Sequence, residues 1–68
     1  MKRHFEFVAG TSSKFWEVSV AEKAVTVCYG RIGTKGQVQL KKFDSEAQAQ
    51  DHADDLIRQK LKKGYVEA

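Results

Sequence analysis

The stretch CYGRIGTKGQ, Cys28 to Gln37, gathers three glycines, one aromatic and two cations in ten residues. Glycines at 30, 33 and 36 let backbone N–H groups come close to an anion, and a turn rich in positive φ can cradle a phosphate. Arg31 and Lys35 add charge at the same turn, and Tyr29 offers a flat ring to a sugar or a base. Aromatic, cation and bare backbone together suit a nucleic acid. A purely architectural reading of the same residues is a hairpin turn shaped by Gly33 and Gly36, a bulge at Gly30 and a tyrosine in the core.

Catalytic chemistry has little to draw on. A nucleophile would need Cys28 or a serine beside a base, yet His4 and His52 stand at opposite ends of the sequence with no supporting motif. Two histidines and one cysteine are too few for a structural zinc site, and the acids show no calcium-loop or His-Glu-x-x-His spacing. The chain is therefore read as a non-enzyme with no cofactor, no metal and no small-molecule substrate.

The elements that must position the turn are legible from periodicity. RHFEFVA alternates, with Phe5 and Phe7 on one face, and KFWEVSV places Trp16, Val18 and Val20 together, leaving Phe15 on the polar side. AVTVCYGRI is a β-branched run whose parity puts Val25, Val27 and Tyr29 in one register, unless a bulge at Gly30 resets it. GQVQLKKF reads as a fourth strand with Val38 and Leu40 inward and Gln37, Gln39 and Lys41 outward. Short connections at AEK and GTKG imply hairpins and an antiparallel sheet.

After Asp44 the period changes. Ala49, Ala53, Leu56, Ile57 and Leu61 form one stripe of an amphipathic helix. Ser45 and Gln48 make a capping box, with Asp44 a competing cap, and Gly64 is placed to end the helix with Tyr65 folded back on its last turn. Asp54 and Arg58 are spaced for an ion pair, and the late cations Arg58, Lys60, Lys62 and Lys63 complement the helix dipole. The fold expected is α+β: a small antiparallel sheet of about four strands with one C-terminal amphipathic helix packed on one face.

Length and charge bound the rest. A chain of 68 residues makes one domain that buries only about 60% of its unfolded surface. The net charge of +3 hides an asymmetry: residues 1–43 hold eight Lys/Arg against three Asp/Glu, and residues 44–68 hold four against six. The basic surface belongs to the part that carries the turn, which points to a polyanion. No apolar run approaches the ~20 residues of a membrane span, and the first residues lack a signal peptide's apolar centre. With a single cysteine and so no internal disulfide, a reducing cytoplasm is the expected setting, without membrane contact.

Taken in order, GTSSKFWEV, YGRIGTKGQ, KKFDSEAQA and KLKKGY resemble a WGR domain over essentially the whole chain, residues 1–68 being read as a single such domain. That module occurs in poly(ADP-ribose) polymerases that respond to DNA damage and in many bacterial proteins. The resemblance implies a sheet-and-helix domain that grips DNA near a break, the motif aromatic lying against the sugar of a terminal nucleotide. By position the motif residues are Tyr29, Gly30 and Arg31, with tyrosine in place of tryptophan, and Ser13 stands where the family often has asparagine. The expected partner is DNA at ends, nicks or junctions, held by Tyr29, Gly30, Arg31 and Lys35 with Lys14, Ser13, Lys41 and Lys42 beside them. The alternative is a protein partner docked on the same Tyr29-Gly30-Arg31 turn.

Overall fold

A computed structural model describes residues 1–68 as a five-stranded antiparallel sheet crossed by one helix. The elements run β1 (Lys2–Ala9), β2 (Ser12–Ala21), β3 (Ala24–Arg31), β4 (Gln37–Lys42), α1 (Glu46–Lys62) and β5 (Val66–Glu67), with sheet order β4-β3-β2-β1-β5. The first four strands are a meander, each pairing with its sequence neighbour. Four strands are thus joined by a fifth, which pairs with β1 through Phe5 and Glu6. Arg3 ties it down, donating from Nε and Nη2 to the two carboxylate oxygens of Glu67 at 2.9 and 2.7 Å.

The registers divide the sheet into two faces. Phe5, Trp16, Tyr29 and Gln37 are direct neighbours across β1, β2, β3 and β4, so all four share the face that carries α1. The core there consists of Phe5, Trp16, Val18 and Val25 against Ala49, Ala53 and Ile57 of the helix. Two alanines at the contact let the helix lie close to the sheet. The core is thin, with only eight of 68 residues buried, so truncating Phe5 to alanine would cost about 3–5 kcal/mol.

Both helix ends follow from local chemistry. Ser45 Oγ accepts from the Gln48 N–H at 3.1 Å, while Gln48 Oε1 accepts from the Asp44 N–H at 3.1 Å. At the other end Gly64 takes φ +100°, its N–H bonding to the Leu61 carbonyl and that of Tyr65 to the Lys60 carbonyl. This pair of bonds is a Schellman motif, and it turns Tyr65 back towards the sheet, 5.4 Å from Phe7 by ring centroids.

Several expectations need correction. In β4 the apolar residues do not face the helix: Val38 and Leu40 are 66% and 59% exposed on the open face, and Gln37, Gln39 and Lys41 share the helix side with Tyr29, Val27 and Val25. The hairpin from β3 sets this register, and the helix packs chiefly over β2 and β3. The alternation of β3 continues unbroken through Gly30, which pairs with Phe15, so no bulge resets it. Leu61 is exposed rather than part of the apolar stripe. Arg58 pairs with Asp55, and Asp54 instead accepts from Gln50. Cys28 is half-buried on the open face, where its thiol donates to the Lys35 carbonyl at 3.4 Å.

Phe15 lies on that open face too, buried beneath the β3–β4 turn and stacked on His4 with ring centroids 5.8 Å apart. The turn reaches it only because Gly36 has no side chain. A Cβ there would stand 2.5 Å from the Tyr29 carbonyl oxygen and 2.7 Å from Phe15 Cζ, and one on Gly30 would stand 2.8 Å from Gly36 Cα. These two glycines serve close backbone packing, Gly36 against the Phe15 ring and Gly30 against Gly36. No helix is long and apolar enough to cross a membrane.

Candidate functional site

At the end of the sheet where β2 starts and β3 stops, Lys14 and Arg31 are direct cross-strand partners. By alternation from Trp16 and Tyr29 both belong to the helix-side face. The last turn of α1 approaches the same place, and Lys60 sets its Nζ 5.6 Å from the Trp16 ring centroid and 5.2 Å from that of Tyr65. The result is a cleft of about 410 Å³ whose walls include Lys14, Tyr29, Arg31, Lys60 and Tyr65. Ser12, Ser13 and the backbone of Gly30 border it, and no carboxylate lines it.

The electrostatics of this cleft are one-sided. None of Lys14, Arg31 and Lys60 forms an ion pair; the acids that do pair take other partners, Glu17 with Lys2 and His4, Glu6 with His4, Glu67 with Arg3 and Asp55 with Arg58. Burial, then the nearby charges of Lys63 and Lys14, hold the Lys60 ammonium below its ordinary value of 10.5. Like charges directly opposite on a sheet are destabilising. The cations therefore repel one another with nothing in the chain to neutralise them, and an anion placed among them would relieve that repulsion.

Tyr29 stands at the boundary between this cleft and a second hollow along the helix. Its ring packs on the core while its hydroxyl donates to Gln37 Oε1 at 3.1 Å and accepts from Gln39 Nε2 at 3.4 Å. The ring is thus oriented from both ends, leaving one side to the cleft.

Of the residues singled out from the sequence, the fold brings Ser13, Lys14, Tyr29, Gly30 and Arg31 to one cleft. Lys41 lines the neighbouring hollow, its Nζ 5.3 Å from the Phe43 ring centroid. Lys35, on the β3–β4 turn, lines neither, and Lys42, one residue beyond Lys41, alternates to the open face. The packing of Gly30 against Gly36 accounts for two of the three glycines without any phosphate. Lys60 and Tyr65 were not among the expected site residues. The sequence does carry a signal for Lys60, since it falls four residues after Leu56 and three after Ile57, on the stripe that faces the sheet.

The model of the WGR domain family matches residues 1–68. The chain is 40% identical over 67 residues to the "Uncharacterized protein YfeS" of Escherichia coli (strain K12), a match covering 98% of this chain and 28% of that protein. It is 42% identical over 65 residues to "Protein YehF" of the same organism, covering 96% of this chain and 24% of the other. A crystal structure of a Bacteroides fragilis protein superposes with a TM-score of 0.97 at 48% identity, over all of this chain and 19% of that one. The chain thus spans about a quarter or less of the length of that crystallised chain and of YehF, and slightly more of YfeS.

Proposed function

Since the chain belongs to the WGR domain family, we propose that it is a nucleic-acid-binding module that takes the sugar-phosphate backbone of DNA at an end, nick or junction in the Lys14–Arg31–Lys60 cleft. The observation that carries this reading is the meeting of three unpaired cations with two tyrosine rings in a cleft free of carboxylates. Arg31 has the planar fork that grips a phosphate through two hydrogen bonds. Lys14 and Lys60 act as point charges on either side, and the exposed flank of Tyr29 lies against a sugar where the strand stops or bends. Contacts of this kind read shape and backbone rather than base sequence.

A protein carboxylate could occupy the same fork, but the cleft lacks the large exposed apolar anchors that hold protein partners. The test is fluorescence anisotropy with blunt, nicked and single-stranded DNA at two salt concentrations. Lys14→Ala and Arg31→Ala serve as variants, because both residues are exposed and unpaired and their loss leaves the fold intact. With Lys14, Arg31, Lys41 and Lys60 neutralising about four phosphates, the log–log salt slope is expected near about −3.6 on duplex DNA. Broken DNA is expected to bind more tightly than the intact strand forms, and each variant to weaken binding. A folded protein that binds no DNA at low salt overturns the reading and turns the search to protein partners.

A further inference from the structure

The second hollow has a character of its own. It is a groove of about 670 Å³ between α1 and the β3–β4 edge, beside a helix that packs chiefly over β2 and β3. That volume falls within the roughly 300–1,000 Å³ of small-molecule sites. Val27, Trp16 and Leu56 make it apolar, while Gln39 on β4 and Gln59 on α1 set side-chain amides on its two sides. The carbonyl oxygen of Gln39 and both amide atoms of Gln59 form no hydrogen bond within the chain. Lys41 stands at the β4 side, and no carboxylate lines the groove.

Groove and cleft adjoin across shared walls. Trp16, Tyr29 and Lys60 line both, so a strand whose phosphates lie among Lys14, Arg31 and Lys60 passes its next nucleotide directly over Tyr29. We propose that the groove takes one unstacked nucleobase of that strand, a step that rests on the nucleic-acid reading of the cleft. The apolar walls replace the stacking neighbour the base has lost, and the two amides, each with donor and acceptor, meet the polar edge of any base. Lys41 receives the phosphate beyond it. The module thereby prefers ends that carry an unpaired nucleotide over flush ends.

Five DNA duplexes of one sequence test this: a blunt end, a single-nucleotide 3′ overhang, a single-nucleotide 5′ overhang, and each overhang with an abasic residue in place of its base. One overhang is expected to bind about tenfold more tightly than its abasic counterpart, the order of effect of one stacked base. The Gln59→Ala variant, made at an exposed position whose side-chain amide bonds nothing within the chain, is expected to lose much of that advantage while keeping its affinity for the blunt end. Equal affinity for base-bearing and abasic overhangs, with blunt-end binding still sensitive to Arg31→Ala, overturns the groove assignment and leaves the cleft reading standing. Absence of binding to every duplex overturns both. A free deoxynucleoside monophosphate is expected to compete only weakly, and competition as strong as that of the overhang would reassign the groove to small nucleotides.

Discussion

Lys14 and Arg31 face each other as direct partners across β2 and β3, two cations on the same side of the sheet with no carboxylate paired to either. Opposite charges at such a position would stabilise the sheet, and like charges weaken it by up to about 1 kcal/mol. Arg31→Glu is therefore expected to raise the unfolding free energy by roughly 0.5–1 kcal/mol while abolishing DNA binding. Denaturant unfolding and anisotropy on the same preparation check both halves, and a variant that loses stability along with binding would contradict a binding role for this repulsive pair.

Lys60 extends the same logic into the helix. Its lowered pKa means that burial and the Lys63 and Lys14 charges oppose its protonation in the folded chain. The folded value lies below the unfolded one, so the charged side chain weakens the fold at neutral pH, and stability recovers as pH rises through the folded value towards 10.5. Bound DNA supplies the missing counter-charge and is expected to raise the Lys60 pKa, which NMR titration of its Cε–Hε signals would follow. Lys60→Met, which keeps apolar cover over Trp16, is expected to preserve stability and reduce the salt slope by about one.

Gly36 is where the turn touches the sheet. With φ +73° and a would-be Cβ 2.5 Å from the Tyr29 carbonyl oxygen, Gly36→Ala is expected to destabilise by about 2–4 kcal/mol. Gly33 has φ +96° but open space around it, so Gly33→Ala is expected to cost only about 1 kcal/mol from backbone strain. Thermal unfolding of the two variants compares them. Near-equal losses would mean that φ, rather than the contact with Phe15, dictates glycine at Gly36.

The sequence made the four-strand meander and the capped helix readable because each rests on a strong local period or cap: alternation in β1 to β3, Ser45 with Gln48, Gly64 at the helix end. It hid β5, since two residues after Tyr65 carry no period and are held only by the distant partners Phe5, Glu6 and Arg3. The face of β4 is not legible from alternation alone, because apolar residues on an edge strand need not be buried and the helix lies chiefly over β2 and β3. Residue type and spacing single out Lys14, Tyr29 and Arg31, and the fold brings the three to one cleft. Lys60 is masked in the sequence because a late-helix lysine has a ready explanation in the helix dipole, and only the fold sets it above Trp16.

His4 joins β1 to β2 on the open face, with Nδ1 3.1 Å from Glu17 Oε2 and Nε2 3.2 Å from Glu6 Oε2. Burial of the ring disfavours its charge, but the hydrogen bonds to Glu6 and Glu17 outweigh it and hold the pKa above 6.5. A raised folded pKa gives a contribution fully present below the unfolded value and lost as pH rises through the folded one. Stability is therefore expected to fall as pH climbs from 6.5 through the raised folded value, with the fall reduced in His4→Gln. Thermal unfolding across that interval checks it, and an identical pH dependence in the variant would assign the effect to another group.

The most direct measurement is a chemical-shift footprint of the isotope-labelled chain titrated with nicked duplex DNA. The helix-side end of the sheet is expected to respond, with the largest changes at Ser13 to Trp16, Tyr29 to Arg31, Lys60 and Tyr65, and with the Trp16 indole signal among them. Changes confined to the open face, at His4, Cys28, Val38 and Leu40, would contradict the assignment of the Lys14–Arg31–Lys60 cleft as the DNA-binding surface.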